Sequence, residues 1–540
     1  MTRERKEECH RKVTEFIVKG LQPFSTVESP WFREMVAALN PRYQPPSRDM
    51  LSTTLIPAWY AVERERVQAE LEETEHVALT CDGWTSVAQD HYITVTVHFA
   101  KGGQLQERVL HTKAVYEAQT GEFLAEEIRH IMAEFNIQGK VVALTVDNAA
   151  NMRVAARMLK VVKIGCFAHS LNLAAQKVYT EPTVSNWAAR IRAVVVWLRK
   201  ASLAKPVMKE KQRLLDLPQH AMVLDVRTRW NTLYLIIERF VEQYSVIQAA
   251  SLDPRLRRSM ERDRLQRISD QDFRHAEEFV RVMRILYTST LCVSSERTPA
   301  CGQILPILQK LEGHFKVQDA DSTFTAAIKK RVWDDLSKRY TDENIRMFLE
   351  EATSLDPRFK TKIMDAAVWS RLEEKACGEN SGQHALEIGV DKEDQLDEGM
   401  EEEEEDEEAA SMENTTYTAV TTSHSASDSA LGELFAKEDL ALKTIQAVPL
   451  LDRSEKARKE LKLYRALPAE LTSTHPAEWW WERRGTFPIL FDLASNYTCV
   501  QASSTPAEWI FSTAGDTLSQ EKACLAPEKA DMIIFLKKNC

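Results

Sequence analysis

Two aspartates stand where short apolar runs end. Asp82 follows the run Val77 to Cys81 in Cys81-Asp82-Gly83-Trp84-Thr85-Ser86. Asp147 follows Val141 to Val146 in Val146-Asp147-Asn148-Ala149-Ala150-Asn151-Met152. If the two runs are neighbouring strands, both carboxylates emerge at one sheet edge. Two carboxylates so placed can share divalent cations, and Mg²⁺ takes one or two carboxylates plus water and substrate phosphate. A pair of such ions activates water and stabilises the leaving oxygen of a phosphodiester. The pattern also fits a helix N-cap, since Asp147 precedes a helical stretch, and spacing alone favours the cap. Glu508 lies in Ser503-Ser504-Thr505-Pro506-Ala507-Glu508-Trp509-Ile510. Thr505 and Pro506 suit an N-cap and first helical position, which puts Glu508 in the first turn. A favourable interaction with the helix dipole accounts for it there, and nothing local marks it as catalytic.

Cys166-Phe167-Ala168-His169 supplies two metal ligands. A structural zinc site needs four, so a buried Cys and a hydrogen-bonded His is the better account, and no zinc site is expected. Arg229-Trp230 stands in a basic stretch. An exposed Trp beside Arg could stack on an unpaired base, although a core Trp is commoner. The nine cysteines are scattered, with no Cys-x-x-Cys, as expected of reduced thiols in a cytosolic or nuclear compartment.

The elements that must position these residues follow from patterning. Val77 to Cys81 is a short apolar strand, and Tyr92 to Phe99 alternates β-branched residues with others. Val109 to Tyr116 is a third strand, with Gly102 and Gly103 as the turn before it. Phe123 to Phe135 has helical spacing. Val141 to Val146 is apolar apart from one Thr, as in a strand buried on both faces. Helix 149–159, strand 161–166 and helix 171–178 follow. Three strands followed by alternating helices and strands match the ribonuclease-H topology, although the pattern is not unique to it.

Five regions result. Residues 1–75 form an N-terminal helical segment, punctuated by Pro23, Pro30, Pro41, Pro45 and Pro46. Residues 76–180 form the first part of an α/β core, and 181–375 an all-helical insertion. Residues 376–435 are an acidic and Ser/Thr-rich stretch whose composition argues for a disordered linker. Residues 436–540 return to helical patterning. The formal net charge is −11, but Asp391 to Glu408 alone holds 13 carboxylates against one lysine. The remainder carries +1, and within it Arg190 to Arg267 holds 17 Lys/Arg against 8 Asp/Glu. That basic stretch suits a nucleic-acid partner and equally suits a solvated helical face. No apolar run approaches the roughly 20 residues that cross a bilayer, and Met1 to Lys6 lacks the apolar stretch of a signal peptide. A soluble intracellular protein without a membrane partner is expected.

Taken in order, CDGWTS, VDNAANM, CFAHSLNL, DVRTRWNTLY, LDPRFK and SSTPAEWIFSTAG resemble the hobo–Activator-type (hAT) transposases. The chain has most in common with the vertebrate zinc-finger BED-domain-containing proteins derived from them. The resemblance covers nearly the whole chain and rests on joint order and spacing. It implies a ribonuclease-H-like core interrupted by a large all-α insertion, with the third acid after the insertion. Carried over by residue, the acidic triad is Asp82, Asp147 and Glu508, holding Mg²⁺ or Mn²⁺ if the chain is active. Cys166 and His169 match the family's Cys-x-x-His motif near the site, and Trp230, beside Arg229, matches the Trp that stabilises a flipped base. Residues 455–540 resemble the C-terminal dimerisation region, including Trp479 to Trp481, Phe487-Pro488 and Leu536 to Asn539. Two departures stand out: Cys9, His10 and His76 are too few and too badly spaced for a BED finger, and Trp509 replaces the usual Arg after the last acid.

Three functions stay open at this level. The first is a metal-dependent transposase, the second a domesticated, catalytically inactive nuclear protein that binds DNA or chromatin and dimerises, the third a protein-interaction scaffold. The intact acids favour the first, the missing finger and Trp509 the second, and the basic stretch disfavours the third. The expectation is a transposase-derived nuclear protein that binds DNA and self-associates through its C-terminal region. Catalysis, the host process and other protein partners are not determined by the residues.

Overall fold

The computed structural model describes residues 1–86, 89–223, 231–263, 268–294, 301–363, 365–378, 452–507, 510 and 525–540. The expected linker lies, from residue 379 onward, outside the described residues.

A five-stranded sheet has the order β3-β2-β1-β4-β5. Its strands are β1 (Val77–Thr85), β2 (His91–Lys101), β3 (Gln104–Val115), β4 (Val141–Val146) and β5 (Val162–Gly165). β1, β2 and β3 pair antiparallel, while β4 is parallel to β1 and to β5. This is the ribonuclease-H-like arrangement expected from the strand pattern. The β2–β3 turn is two residues long, with Gly102 at φ +60° and Gly103 at φ +78°. Both positive angles suit the turn whose twist matches the strands. A Cβ on Gly103 would stand 2.9 Å from the Cβ of Trp481, so glycine also lets the C-terminal region approach the turn.

The sheet buries both faces. Leu79, Cys81, Val95, Val97, Leu144 and Val146 meet helices Gly121–Glu134 and Ala150–Leu159 on one face. Ala78, Ala143 and Ile164 join the larger core of helix Phe167–Tyr179 and the helical insertion. Helices from Pro182–Lys200 to Ala366–Cys377 make up the insertion among the described residues.

Insertion and C-terminal region meet at a buried polar and aromatic joint, and the LDPRFK motif belongs to it. Arg358 grips Asp356 through Nε at 2.9 Å and Nη2 at 2.6 Å, with both side chains buried. Lys360 Nζ donates to the Tyr464 carbonyl at 2.7 Å and lies 4.4 Å from that ring's centroid. Burial pulls the Lys360 ammonium down to about 8. Trp480 donates to the Leu355 carbonyl at 2.9 Å, and Trp479, Trp480, Tyr464 and Phe487 pack as one aromatic cluster. Trp479, Trp480 and Phe487, which resemble dimerisation-region residues, are thus core residues of their own chain.

The other edge of the sheet is closed by helix Pro527–Asn539. The Asn539 side-chain amide accepts from Val109 N at 3.0 Å and donates to Val109 O at 2.8 Å, as a neighbouring strand would. Asp531 accepts from Thr112 N at 2.7 Å and holds His111 Nδ1 at 2.7 Å. The register slips between these contacts, where Val95 pairs with His111 and Thr96 with Val109, leaving Leu110 as an inserted residue. The bulge turns β3 away from a flat edge, and the helix covers what remains.

His111 is clamped between two carboxylates, its Nε2 lying 3.0 Å from Glu134. Burial alone would lower its pKa, but the bonds to Asp531 and Glu134 raise it to about 10. A His with a raised folded pKa stabilises fully below its unfolded value of about 6.5, and that gain is lost as pH climbs through the folded value. Melting temperature is therefore expected to fall between about pH 6.5 and 10 more steeply in the wild type than in Asp531→Asn, as read by thermal denaturation across that window.

Candidate functional site

The parallel pairing of β1 with β4 ends at Thr80 opposite Thr145. Asp82 and Asp147 lie two residues beyond that pair on each strand. Asp82 is inside β1, which continues to Thr85 beside β2, and not past its end as the apolar run suggested, while Asp147 is just past β4. The register thus sets the two acids level where the β1–β4 pairing stops. Alternation along a strand puts Asp82 on the face of Thr80 and Asp147 on that of Thr145. That face is polar inside: Thr96 Oγ1 meets His98 Nε2 at 2.8 Å, and Thr145 Oγ1 donates to the Gln501 carbonyl at 2.7 Å. Burial drops the His98 pKa to about 3 and keeps the ring neutral. Both acids act electrostatically on one buried atom: burial, then Asp82 and Asp147, push the Cys81 thiol well up.

Each carboxylate also serves its own turn. Asp82 Oδ1 accepts from Gly83 N at 2.8 Å, and Asp147 Oδ1 accepts from Ala149 N at 3.1 Å. Helix Ala150–Leu159 begins just after, with Ala149 as its N-cap and no side-chain capping bond, so Asp147 is not the helix cap suggested by spacing but the head of a turn before it. Both side chains are half-buried.

Cys166 is fully buried and works as a hydrogen-bond acceptor. Its Sγ accepts from His169 N and from Ser504 N, each at 3.4 Å, capping helix Phe167–Tyr179. His169 titrates below its ordinary range because burial disfavours the cation; the charge of Asp147 opposes this and that of Arg339 adds to it. Among the described residues, no three His, Cys, Asp or Glu side chains converge as a metal site. Glu508, Arg229 and Trp230 lie outside the described residues. Ala507 and Ile510, on either side of Glu508, are both buried, Ile510 against Val109 and Ile534 with Trp84 beside it.

Several neighbours of the acids carry no signal in the periodicity. The segment 500–505 is buried along its length. Phe167 N donates to the Ala502 carbonyl at 2.8 Å, and Ser503 Oγ donates to Val293 O at 2.8 Å in the insertion. Asn148 Nδ2 donates to Ser170 Oγ at 3.1 Å. Tyr340 of the insertion donates to the Gly165 carbonyl at 3.0 Å. A signal for the first existed: Ser503-Ser504-Thr505 is a small-residue run able to pass beside a sheet, bonded to its surroundings.

Comparison with known proteins agrees with this architecture. The ZBED1 RNase-like domain matches residues 80–165, the ZBED1 RNase-like helical domain 164–271, and the hAT family C-terminal dimerisation region 455–540. A human zinc finger BED domain-containing protein 4 is 23% identical over 98% of this chain and 43% of its own length. A Zea mays protein bearing the name AC transposase is 27% identical over 44% of this chain and 32% of its own. The Arabidopsis thaliana zinc finger BED domain-containing protein DAYSLEEPER is 20% identical over 98% of this chain and 73% of its own. The chain thus spans less than half the length of the first two. A split ribonuclease-H-like core, a helical insertion and a C-terminal unit that closes the sheet define a transposase-type scaffold. The chain belongs to the hAT family as a transposase-derived protein.

The acceptor role of Cys166 has a direct check. Cys166→Ala strands the amides of His169 and Ser504, and about 1–3 kcal/mol of stability is expected to go in urea denaturation. A Cys166→Ser chain, which keeps an acceptor, should recover part of it.

Proposed function

We propose that this chain is a domesticated nuclear protein of hAT descent that binds DNA or chromatin and self-associates through its C-terminal region, with regulation rather than strand cleavage as its work. The observation that carries DNA binding is a set of exposed cations, Lys205, Lys209 and Arg213 at four-residue spacing on helix Ala204–Leu214, with Lys200 at the end of the preceding helix Pro182–Lys200. None of the four has a carboxylate partner among the described residues. Other cations of the basic stretch are neutralised within the chain, as Arg190 is by Asp272, Lys211 by Asp253 and Arg255 by Asp253 and Glu210. Charge that stays unpaired on one surface suits a phosphate backbone. The likeness to BED domain-containing proteins along nearly the whole chain supports a host role and a nuclear address. No helix among the described residues is long and apolar enough to cross a membrane.

Binding to a labelled duplex, followed by fluorescence anisotropy, should weaken linearly in log–log form as salt rises. Lys205→Ala with Lys209→Ala should flatten that slope by about 1.8, two phosphate contacts at about 0.9 each. A wild-type chain with no salt-dependent binding would sink the proposal.

The strand register favours a second possibility, retained metal-dependent chemistry. Asp82 and Asp147 at one sheet end fit Mg²⁺ or Mn²⁺, which is satisfied by one or two carboxylates and completed by water and phosphate. Such an ion would lower the cost of developing charge on a phosphodiester. Glu508 is the third acid of this proposal, and His169 and the Arg229-Trp230 pair would face the DNA. Calorimetric titration of Mn²⁺ with a short branched DNA separates the two possibilities. Binding lost in Asp147→Asn supports the metal site; equal or absent binding in both chains leaves the acids as turn-makers only.

A further inference from the structure

The helical insertion touches the acid-bearing end of the sheet through the turn that follows helix Thr323–Leu336. Tyr340 in that turn has φ +58°, a left-handed backbone angle that is a genuine outlier for a bulky side chain. Strain of this kind persists only where the surroundings over-determine it, and it clusters at functional sites. Here the surroundings do so. The Tyr340 hydroxyl donates to Gly165 O at 3.0 Å and lies 3.5 Å from Ser170 Oγ. Its ring packs edge-on against Phe167 with centroids 5.7 Å apart. Ser170 is in turn bound by Asn148, the residue after Asp147. The anchor therefore reaches the acidic strand end through one intervening side chain.

Arg339 precedes Tyr340. Its Nε donates to Asp335 at 2.7 Å, and its side chain is 21% exposed. Unlike the four unpaired cations above, Arg339 is ion-paired, but Asp335 is its one hydrogen-bond partner among the described residues, so it would take a phosphate through the guanidinium N–H donors that this bond leaves over. Its charge and that of Asp147 both act on the His169 imidazole, so the cation and the acid share one neighbourhood. Two carboxylates repel a phosphodiester. A guanidinium that shares the surroundings of His169 with Asp147, on the turn that Tyr340 anchors to Gly165, offers the planar, bidentate recognition that a phosphate prefers.

We propose that Arg339 and Tyr340 form an arm of the insertion that holds a DNA backbone phosphate at the Asp82–Asp147 end of the sheet. Arg339 takes the phosphate, and Tyr340 is a positioning residue that acts through Arg339. The inference rests on the DNA-binding proposal and names a second contact point for it.

The test uses the full chain and a labelled branched DNA, with affinity measured by anisotropy against salt and folding followed by thermal melting. Arg339→Gln is expected to weaken binding about tenfold, as loss of a charge-assisted hydrogen bond does, and to flatten the salt slope by about 0.9. Arg339→Lys should keep the slope and recover part of the affinity. Tyr340→Phe should weaken binding in the same direction, and the double variant Arg339→Gln/Tyr340→Phe should bind no worse than Arg339→Gln alone. Lower melting temperatures with unchanged affinity and slope would overturn the inference and leave the turn purely structural. If Lys205→Ala/Lys209→Ala flattens the slope while Arg339→Gln does not, the arm alone fails; if the wild type does not bind, the DNA-binding proposal fails with it.

Discussion

One buried segment has to find partners for its backbone in three different parts of the molecule. Residues 500–505 are shielded from water, and a buried amide or carbonyl without a partner is costly. Gln501 O is met by Thr145 from the sheet, Ala502 O by the amide of Phe167, Val500 O by the amide of Cys301, and the amide of Ser504 by the Cys166 thiol. Sheet, helix Phe167–Tyr179 and insertion are thereby fixed to a stretch that lies far later in the chain. The acidic end of the sheet takes its shape from this fixing, because Thr145 and Cys166 stand beside Asp147 in sequence or in space.

The insertion is consequently more than an appended lobe. It is tied to the C-terminal region through Lys360, Trp480 and the Glu470 amide on Pro357 O, and through Glu351, which is buried and meets Arg371, Lys375 and the Tyr497 hydroxyl. Charged groups that enter the interior do so in mutually satisfied sets, as the cost of an unpaired buried charge requires. The consequence is that the part of the insertion from Glu351 to Lys375 is anchored to the C-terminal region by buried polar bonds.

The sheet was legible in the sequence wherever burial was two-sided or alternating. Val141–Val146 and Tyr92 to Phe99 declared themselves, and the Gly102-Gly103 turn followed from residue type alone. The two aspartates were legible as the residues that follow apolar runs; for Asp147 that is also the end of β4, whereas β1 continues to Thr85 and holds Asp82 within it. What escaped was everything set by distant partners. Nothing near Asn539 announces that its amide will stand in for a strand beside Val109, and nothing near Tyr340 announces a positive φ. The tryptophans at 479 and 480 were legible as part of a region that resembles the family's dimerisation region, which matches 455–540, but their place within it was not: both rings pack with Tyr464 and Phe487 inside their own chain.

The cap on β3 also orders events in the life of the chain. Val109 and Asn539 are 430 residues apart, so β3 leaves the ribosome long before the helix that covers it. Throughout that interval the strand offers unpaired amides and carbonyls to any passing chain, the usual template for aggregation. A premature stop within the closing helix would leave Asp82, Asp147 and the cations of the insertion in place and still uncover the edge of β3.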